Sequence, residues 1–299
     1  MLIPPFLKKG DTVLLIATAR ARSEEQIAPA IETLKKWGLK VETGTNLYKR
    51  HHQFAGTDDE RTHDLQWAVN HPKAKAVILA GGGYGTLRII DNINFGRLKK
   101  HPKWFAGYSD ATVLQARLLK QKSACIHGTM AFQFAKNLKA ANSLKSVLFG
   151  KKTSYPIKPH THNRKGTAVA EVVGGNLSLI YALSSSKDDL NTKGKILFIE
   201  DLDEQLYHID RMMLQLKRSG KLKHLAGLIV GGMTDMKDNA VPYGKTAEEI
   251  ISEAVQEYKY PVCFNFPAGH VDENLAIYFG IKASLIVSSK KIQFKYLLP

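Results

Sequence analysis

Ser109 is the first residue of this chain whose setting indicates chemistry. Residues 107–111 read Gly-Tyr-Ser-Asp-Ala and lie between an apolar run, 104–106, and an amphipathic run that begins at Asp110. Small residues two positions before and after a serine permit the tight strand-to-helix turn of a nucleophile elbow, which lifts the hydroxyl out of the turn. Backbone N–H groups of such a turn point at the group that the serine attacks. The alternative is a Ser-Asp pair that only caps a helix.

A glycine run, Gly81–Gly85, follows a buried strand predicted over 76–80. Such a run can cradle a phosphate, but the Lys-Ser/Thr ending of a P-loop is missing here. The first strand-to-helix turn, 17–22, contains no glycine, which argues against a dinucleotide site. We therefore expect this loop to bring a backbone N–H beside Ser109, as the second half of an oxyanion hole.

A serine nucleophile needs a base that accepts its proton and a carboxylate that orients the base. The chain contains 11 histidines, so the presence of a histidine does not by itself identify the base. Glu200 ends an apolar run where we expect the chain to leave the core for a cleft, and His270 follows the tight turn Pro267-Ala268-Gly269. On spacing alone, a surface carboxylate and a turn histidine remain the simpler interpretation of these two residues.

Predicted strands and helices alternate through the first half of the chain. Capping boxes at Ser23/Gln26 and Thr57/Glu60 predict two helix starts. The predicted strands are 12–18, 40–43, 76–80, 104–106 and 124–127. This alternation predicts a Rossmann-like or flavodoxin-like α/β domain with a parallel sheet, whose ligands bind at the carboxyl ends of the strands. Ser109 and the glycine run both fall at such ends.

A polar stretch with two prolines, 151–166, indicates a linker between two domains. The prediction is a first domain over 1–150 that carries the nucleophile, and a smaller, mixed, β-rich domain over 167–299 that carries the acid and the base. A helix capped by Thr246 and Glu249 is expected to run to Tyr258. The strands predicted for the second domain are 167–173, 195–199, 225–230, 261–266, 283–287 and 291–296.

The composition indicates a globular protein with an excess of positive charge. The chain has 299 residues, a hydrophobic content of 44% and a formal net charge of +16. The lysines are dispersed and accompany no nucleic-acid-binding signature, so a solvated surface is the first interpretation and steering of a small anionic substrate is the second. No nucleic acid partner is predicted. No apolar run approaches the roughly 20 residues of a membrane span, and the first residues lack a secretory signal pattern. A cytoplasmic protein without a membrane partner is therefore predicted.

The sequence contains no recognised cofactor-binding or metal-binding motif. Cys125 and Cys263 each lie in an apolar run and are expected to be buried free thiols. The pairs His51-His52 and His208/Asp210 do not have recognised metal-ligand spacings.

Short motifs spread along the chain resemble the LD-carboxypeptidase family of serine peptidases, which also contains the microcin C immunity proteins. The resemblance covers about residues 8 to 285. Its motifs are Lys-Gly-Asp-Thr at 9–12, Phe-Ala-Gly-Thr-Asp at 54–58, Gly-Gly-Tyr-Gly at 82–85, Gly-Tyr-Ser-Asp at 107–110, His-Gly at 127–128, Gly-Gly-Asn-Leu-Ser at 174–178, Phe-Ile-Glu-Asp at 198–201, Ile-Asp-Arg-Met at 209–212 and Gly-His at 269–270.

The resemblance implies a Ser-His-Glu triad: Ser109 as nucleophile, His270 as base and Glu200 as the acid. It implies an oxyanion hole from the backbone N–H of Asp110 and from Gly82 or Gly83. It also implies release of the terminal D-alanine of cytoplasmic murein tetrapeptides in cell-wall recycling, by a homodimer with the site between two domains. Further substrate contacts are predicted for Tyr84, Arg20 and Asn176.

Three positions depart from the family pattern. A serine-containing turn after the first strand is replaced by Ala17-Thr18-Ala19-Arg20, an arginine before Gly-Gly-Tyr-Gly is replaced by Gly81, and a proline after His-Gly is replaced by Thr129. Gly81 is nearest the chemistry and puts substrate positioning in question. Arg20 is a candidate to replace the lost positive charge.

Two alternatives remain open. The first is an immunity-type peptidase acting on an aminoacyl or peptidyl nucleotide. Such an enzyme would need an aromatic side chain on which the nucleobase can stack. Tryptophans are absent from the linker and the second domain, and Tyr155 and Tyr207 are weak candidates for that role. The second is a non-catalytic muropeptide-binding protein, against which the complete Ser/Glu/His set argues.

Overall fold

A computed structural model describes residues 1–289 and 291–298 and divides the chain into two compact units. The first unit comprises Met1–Thr153 with Leu275–Phe279, and the second comprises Ser154–Asn274 with Gly280–Pro299. Pro299, which ends the predicted second domain, and Lys290 lie outside the described residues. None of the helices in the described ranges has both the length and the apolar character that a membrane crossing requires.

The strands are β1 (Thr12–Ile16), β2 (Lys40–Thr43), β3 (Ala74–Leu79), β4 (Trp104–Gly107), β5 (Cys125–His127), β6 (Gly166–Asn176), β7 (Ile196–Leu202), β8 (Gly227–Thr234), β9 (Val262–Cys263), β10 (Ile277–Phe279), β11 (Lys282–Val287) and β12 (Ile292–Tyr296). The α-helices are α1 (Glu24–Lys36), α2 (Asp58–Asn70), α3 (Thr86–Ile89), α4 (Ala111–Lys120), α5 (Leu138–Leu148), α6 (Leu177–Ala182), α7 (Leu206–Arg218) and α8 (Ala247–Ala254).

The first unit contains a six-stranded sheet in the order β10-β5-β4-β3-β1-β2. Strands β1 to β5 are parallel, and β10 pairs antiparallel with β5. The parallel strands follow the flavodoxin-like order 2-1-3-4-5. All five residues of β1 are buried, as expected for a parallel strand covered on both faces. The predicted fold class is confirmed.

Local capping signals place the helix starts where the sequence predicts them. The Thr57 hydroxyl accepts from the Glu60 N–H at 3.3 Å, and the Glu60 carboxylate accepts from the Thr57 N–H at 2.8 Å. Thr246 and Glu249 make the same two hydrogen bonds at 3.3 and 2.8 Å. Helices α2 and α8 therefore begin one residue after their capping threonines.

The second unit contains a mixed, barrel-like sheet in the order β12-β11-β6-β7-β8-β9. Strand β6 links its two halves. Residues 166–171 pair antiparallel with β11, and residues 172–176 pair parallel with β7. Strand β7 continues the parallel part through β8 to β9. This is the β-rich, mixed architecture predicted for the second half of the chain.

The structure differs from the predicted boundaries in three places. Residues 154–166 of the predicted linker pack with the second unit, because the Tyr155 ring lies 5.3 Å from Phe266 and 5.2 Å from Phe294. Strand β10 lies within the predicted second domain but joins the sheet of the first unit. The strand predicted over 261–266 is only β9, and the helix predicted to reach Tyr258 ends at Ala254.

Candidate active site

Ser109 follows β4 directly and has a backbone that non-glycine residues rarely adopt. Its φ is 61°, in the left-handed region, and α4 begins two residues later. A Cβ on Gly107 would lie 3.0 Å from the Cβ of Ala111, so the two small residues pack against each other under the turn. The buried Gln115 amide donates to the Gly107 carbonyl at 2.8 Å and holds the end of the strand. These are the strained backbone and close packing of a nucleophile elbow.

The strain at Ser109 predicts an unusual order of stability among variants at this position. Ser109→Gly should unfold at a higher Tm than Ser109→Ala, by the equivalent of about 1 kcal/mol, because glycine adopts positive φ without a Cβ clash. Ser146 provides the control, since it lies inside α5. There the order should reverse, with the glycine variant less stable by about 1 kcal/mol. The same order at both positions in thermal denaturation would show that Ser109 is not strained.

The glycine loop after β3 packs directly against the serine. A Cβ on Gly82 would lie 3.2 Å from Cβ and 3.4 Å from Oγ of Ser109, so glycine lets this backbone approach the hydroxyl. Gly83 and Gly85 have φ of 106° and 153°, which only glycine adopts readily. The loop therefore lies beside the Ser109 hydroxyl, as the sequence predicts.

The Asp110 side chain fastens this loop to the elbow, a role that sequence reasoning missed. Asp110 is 1% exposed, and its Oδ2 accepts from the backbone N–H of Thr86 at 2.8 Å. Burial raises the pKa of the Asp110 carboxyl, while the Thr86 hydrogen bonds and one from Gly85 oppose that rise. The signal in the sequence was an aspartate directly after the serine, which we interpreted only as a backbone N–H donor or a cap.

In the second unit the structure brings Glu200 and His270 together. Nδ1 of His270 lies 2.6 Å from Oε2 of Glu200, and the His270 backbone N–H donates to the same oxygen at 3.1 Å. The side chains are 0% exposed for Glu200 and 14% for His270. Because Nδ1 donates to the carboxylate, Nε2 is the ring nitrogen that can accept a proton.

Strand β7 continues through Glu200 instead of ending there. Its pairing with β8 shifts register at Glu200 and resumes from Asp201 to Leu202, so the strand does not end at Glu200, contrary to the prediction. The Glu200 side chain is buried. The turn before His270 crosses directly over it. A Cβ on Gly269, whose φ is 97°, would lie 2.7 Å from Cβ, Cγ and Oε2 of Glu200. Glycine is therefore needed at 269 for the imidazole to reach the carboxylate.

The environment of His270 favours its protonated form. Burial, the largest effect, lowers the pKa of His270, but the hydrogen bond and charge of Glu200 and the charge of Asp201 together hold it above its usual value. Asp201 is itself buried, and burial followed by the charge of Glu200 raises its pKa to about 7. A positive charge that forms on His270 during a reaction is thus stabilised by two neighbouring carboxyl groups.

Asn176, predicted to contact substrate, is buried and caps α6. It is 5% exposed, its amide donates to Asp201 Oδ1 at 2.7 Å, and its Oδ1 accepts from the Leu179 N–H at 3.2 Å. Asp201 Oδ2 accepts from the Ser178 N–H at 2.8 Å. These bonds account for the Gly-Gly-Asn-Leu-Ser motif as a strand-to-helix connection.

The remaining predicted residues surround the glycine loop. Tyr84 is 43% exposed, and Arg20 is exposed beside Gly83. Gly81 and Thr129, two of the positions that depart from the family pattern, are both buried. Thr129 Oγ1 donates to Gln133 Oε1 at 3.4 Å, and the Gln133 amide donates to the Tyr108 hydroxyl at 2.8 Å, so Thr129 supports the elbow from behind.

The two units supply the parts that serine hydrolases use. One holds a strained serine with a glycine loop packed on it, and the other holds a half-buried imidazole fixed by a buried carboxylate. Across residues 1–289 and 291–298, His, Cys, Asp and Glu side chains form no group of three that could hold a metal ion.

Comparison with known proteins assigns the family. The model of the LD-carboxypeptidase N-terminal domain matches residues 13–128, and that of the C-terminal domain matches residues 169–285. The chain therefore belongs to the LD-carboxypeptidase family and is a serine carboxypeptidase of that type.

Individual relatives cover nearly the whole chain. A Bacillus subtilis protein named "Probable murein peptide carboxypeptidase" is 36% identical over 299 residues, covering 96% of this chain and 92% of its own. The crystal structure of muramoyltetrapeptide carboxypeptidase from Oxalobacter formigenes has a TM-score of 0.87 at 28% identity, covering 95% of this chain and 98% of that one. The microcin C7 self immunity protein MccF has a TM-score of 0.88 at 18% identity over 100% and 99% of the two chains, which establishes a shared fold alone.

Proposed function

We propose that this enzyme hydrolyses the terminal L–D peptide bond of murein tetrapeptides and releases D-alanine, with Ser109, His270 and Glu200 as its catalytic triad. The observation that carries the triad is the 2.6 Å hydrogen bond between His270 Nδ1 and the fully buried Glu200 carboxylate. A buried carboxylate in this position fixes one tautomer of the imidazole and stabilises the imidazolium that forms during acyl transfer.

In the acylation half-reaction, Ser109 Oγ attacks the carbonyl carbon of the residue before D-alanine, and Nε2 of His270 takes the hydroxyl proton. The negative charge moves to the carbonyl oxygen, where N–H groups of Asp110 and of Gly82 or Gly83 are proposed to receive it. When the C–N bond breaks, the imidazolium gives its proton to the departing amine of D-alanine. The peptide remains as an ester on Ser109.

Deacylation repeats these steps with water as the nucleophile. His270 takes a proton from the water, the hydroxide attacks the ester carbonyl, and the proton passes to Ser109 Oγ as the C–O bond breaks. The products are the shortened peptide and the free serine. No step requires a metal or a cofactor to balance its atoms or electrons.

The proposed substrate class is supported by the relatives and by the charge of the chain. The Bacillus subtilis relative is named for murein peptides and the Oxalobacter formigenes structure for a muramoyltetrapeptide. A muropeptide carries free carboxylates, and the net charge of +16 would steer such an anion towards the enzyme. A cytoplasmic location and a homodimer belong to the same proposal; cell fractionation and light scattering test them separately.

The decisive experiment offers the purified enzyme a murein tetrapeptide and, in parallel, an aminoacyl adenylate analogue of the microcin type. We expect stoichiometric release of D-alanine from the tetrapeptide, measured by mass spectrometry. Cleavage of the nucleotide analogue alone would replace this function with the immunity-type activity. Binding of the tetrapeptide without turnover would indicate a muropeptide-binding protein instead.

Of the five aromatic residues considered as a stacking surface for a nucleobase, three are buried and one is half-buried. Trp104 is 0% exposed, Trp37 is 6% and Tyr155 is 7%. Trp67 packs on His71 with ring centroids 5.4 Å apart. Tyr207, at 40%, is the most exposed of the five aromatic residues considered for that role. Tyr84 in the glycine loop is 43% exposed, so the parallel assay, and not the burial of aromatic residues, distinguishes the peptide substrate from the nucleotide.

A further inference from the structure

Two arginines lie against the glycine loop that packs on Ser109. A Cβ on Gly81 would lie 3.1 Å from Nη2 and 3.2 Å from Cζ of Arg22. A Cβ on Gly83 would lie 2.6 Å from Cγ and 2.8 Å from Nε of Arg20. Gly82, the residue between them, is the one that contacts the serine. The two cationic side chains therefore flank the point where the loop meets the nucleophile.

Neither guanidinium is neutralised by a carboxylate within the described ranges. In the same unit, Arg61 and Arg88 share Asp58, at 2.5 and 2.7 Å. Arg20 and Arg22 have no such partner, and the Nε of Arg22 is buried without a hydrogen bond. Burial and then the charge of Arg20 lower the pKa of Arg22. Two adjacent positive charges of this kind are stabilised when an anion binds between them.

Arg22 is held in place before any ligand arrives. Its Cζ lies 4.0 Å from the centroid of the Phe132 ring, a stacked cation–π contact. The Phe132 backbone N–H donates at 3.1 Å to the carbonyl of Ala80, the residue that leads into the glycine loop. The guanidinium is therefore tied to the same loop as the proposed oxyanion donors, and binding costs little side-chain entropy.

We propose that Arg22 and Arg20 bind the free C-terminal carboxylate of the peptide and so restrict the enzyme to the last peptide bond. This inference rests on the proposed function. In the substrate, the terminal carboxylate follows the attacked carbonyl by one residue, a spacing of about 3.8 Å between successive Cα atoms. Gly81 and Gly83 stand one residue on either side of Gly82, so both arginines lie against residues that adjoin the contact with Ser109. A guanidinium can bind a carboxylate through two parallel hydrogen bonds.

The test compares two substrates that differ only in this group: the tetrapeptide ending in D-alanine and the same peptide ending in D-alaninamide. For the wild-type enzyme we expect a strong preference for the free carboxylate. Arg22→Ala should lower kcat/KM for the carboxylate substrate by about 10- to 100-fold and leave that for the amide nearly unchanged. Arg20→Ala should act in the same direction. Arg22→Lys should recover part of the preference, because lysine keeps the charge but loses the planar fork.

Arg97 provides the matched control, since it is exposed in the 3-10 turn Gly96–Lys99. Arg97→Ala should leave kcat/KM unchanged for both the carboxylate and the amide substrate. Equal losses on both substrates in Arg22→Ala and Arg20→Ala would overturn the inference, because a structural role does not distinguish a carboxylate from an amide. Release of D-alanine with an unchanged substrate ratio would also overturn it, while the proposed function would stand. Failure of the wild-type enzyme to release D-alanine would overturn both.

Discussion

Ser109→Ala will lower kcat/KM for D-alanine release by about 10⁵- to 10⁶-fold, the loss expected when the nucleophile of a serine triad is removed. The physical reason is that no other group can form the ester intermediate, so the residual rate reflects only binding and the oxyanion donors. The alanine keeps the Cβ that packs on Gly82, so tetrapeptide binding should survive. Steady-state kinetics with D-alanine detection measures the loss, and calorimetric titration of the tetrapeptide into the variant measures the binding.

Ser146→Ala is the matched control for this variant, because Ser146 lies in the same unit and its hydroxyl donates only to the Asn142 carbonyl of its own helix. Its kcat/KM should equal that of the wild-type enzyme. Turnover retained by Ser109→Ala, with the wild-type Tm, would contradict the assignment of Ser109 as the nucleophile.

Glu200→Gln will lower kcat/KM by about 10³- to 10⁴-fold and shift the pH profile. The amide no longer stabilises an imidazolium, and it can hold His270 in the wrong tautomer. The reaction requires neutral His270, so the rate rises with pH as this residue loses its proton. Because the wild-type pKa of His270 lies above its usual 6.5, the acidic limb of the wild-type profile should have its midpoint above pH 6.5. In the variant, only the charge of Asp201 opposes the lowering of the His270 pKa by burial. The His270 pKa therefore falls, and the acidic limb moves to lower pH.

A second imidazole–carboxylate pair in the same unit provides the control. His208 Nδ1 lies 2.6 Å from Glu204 Oε2, the distance found for His270 and Glu200, but its side chains are 28% and 22% exposed. Glu204→Gln should leave the rate unchanged and should not move the acidic limb to lower pH, because the charge of Glu204 acts on Asp201 and not directly on His270. An acidic limb in Glu200→Gln that coincides with that of the wild-type enzyme would show that Glu200 does not set the pKa of the base.

Local sequence signals predicted much of the fold and the parts of the site that lie within single turns. The capping pairs at Thr57 and Thr246 fixed helix starts, because both hydrogen bonds close within four residues. The elbow was predictable for the same reason: the small residues at 107 and 111 meet each other across one turn.

Features that depend on distant partners were not predictable from local patterns. Strand β10 has three residues, and its partner β5 lies about 150 residues earlier in the chain. No short-range sequence pattern therefore predicts β10. Glu200 follows an apolar run and looked like a strand end, but pairing with β8 continues the strand beyond it. The position of Arg22 over Gly81 depends on how two loops meet at neighbouring strand ends, which neither loop encodes alone.

Strand β10 also sets the order in which the protein can be completed during synthesis. The ribosome releases the first 153 residues long before residues 275–279 emerge. Until then, β5 forms an open sheet edge with unpaired backbone groups, which is a template for pairing with other chains. A fragment ending at residue 153 should therefore aggregate unless it is supplied with the strand Ile277–Phe279.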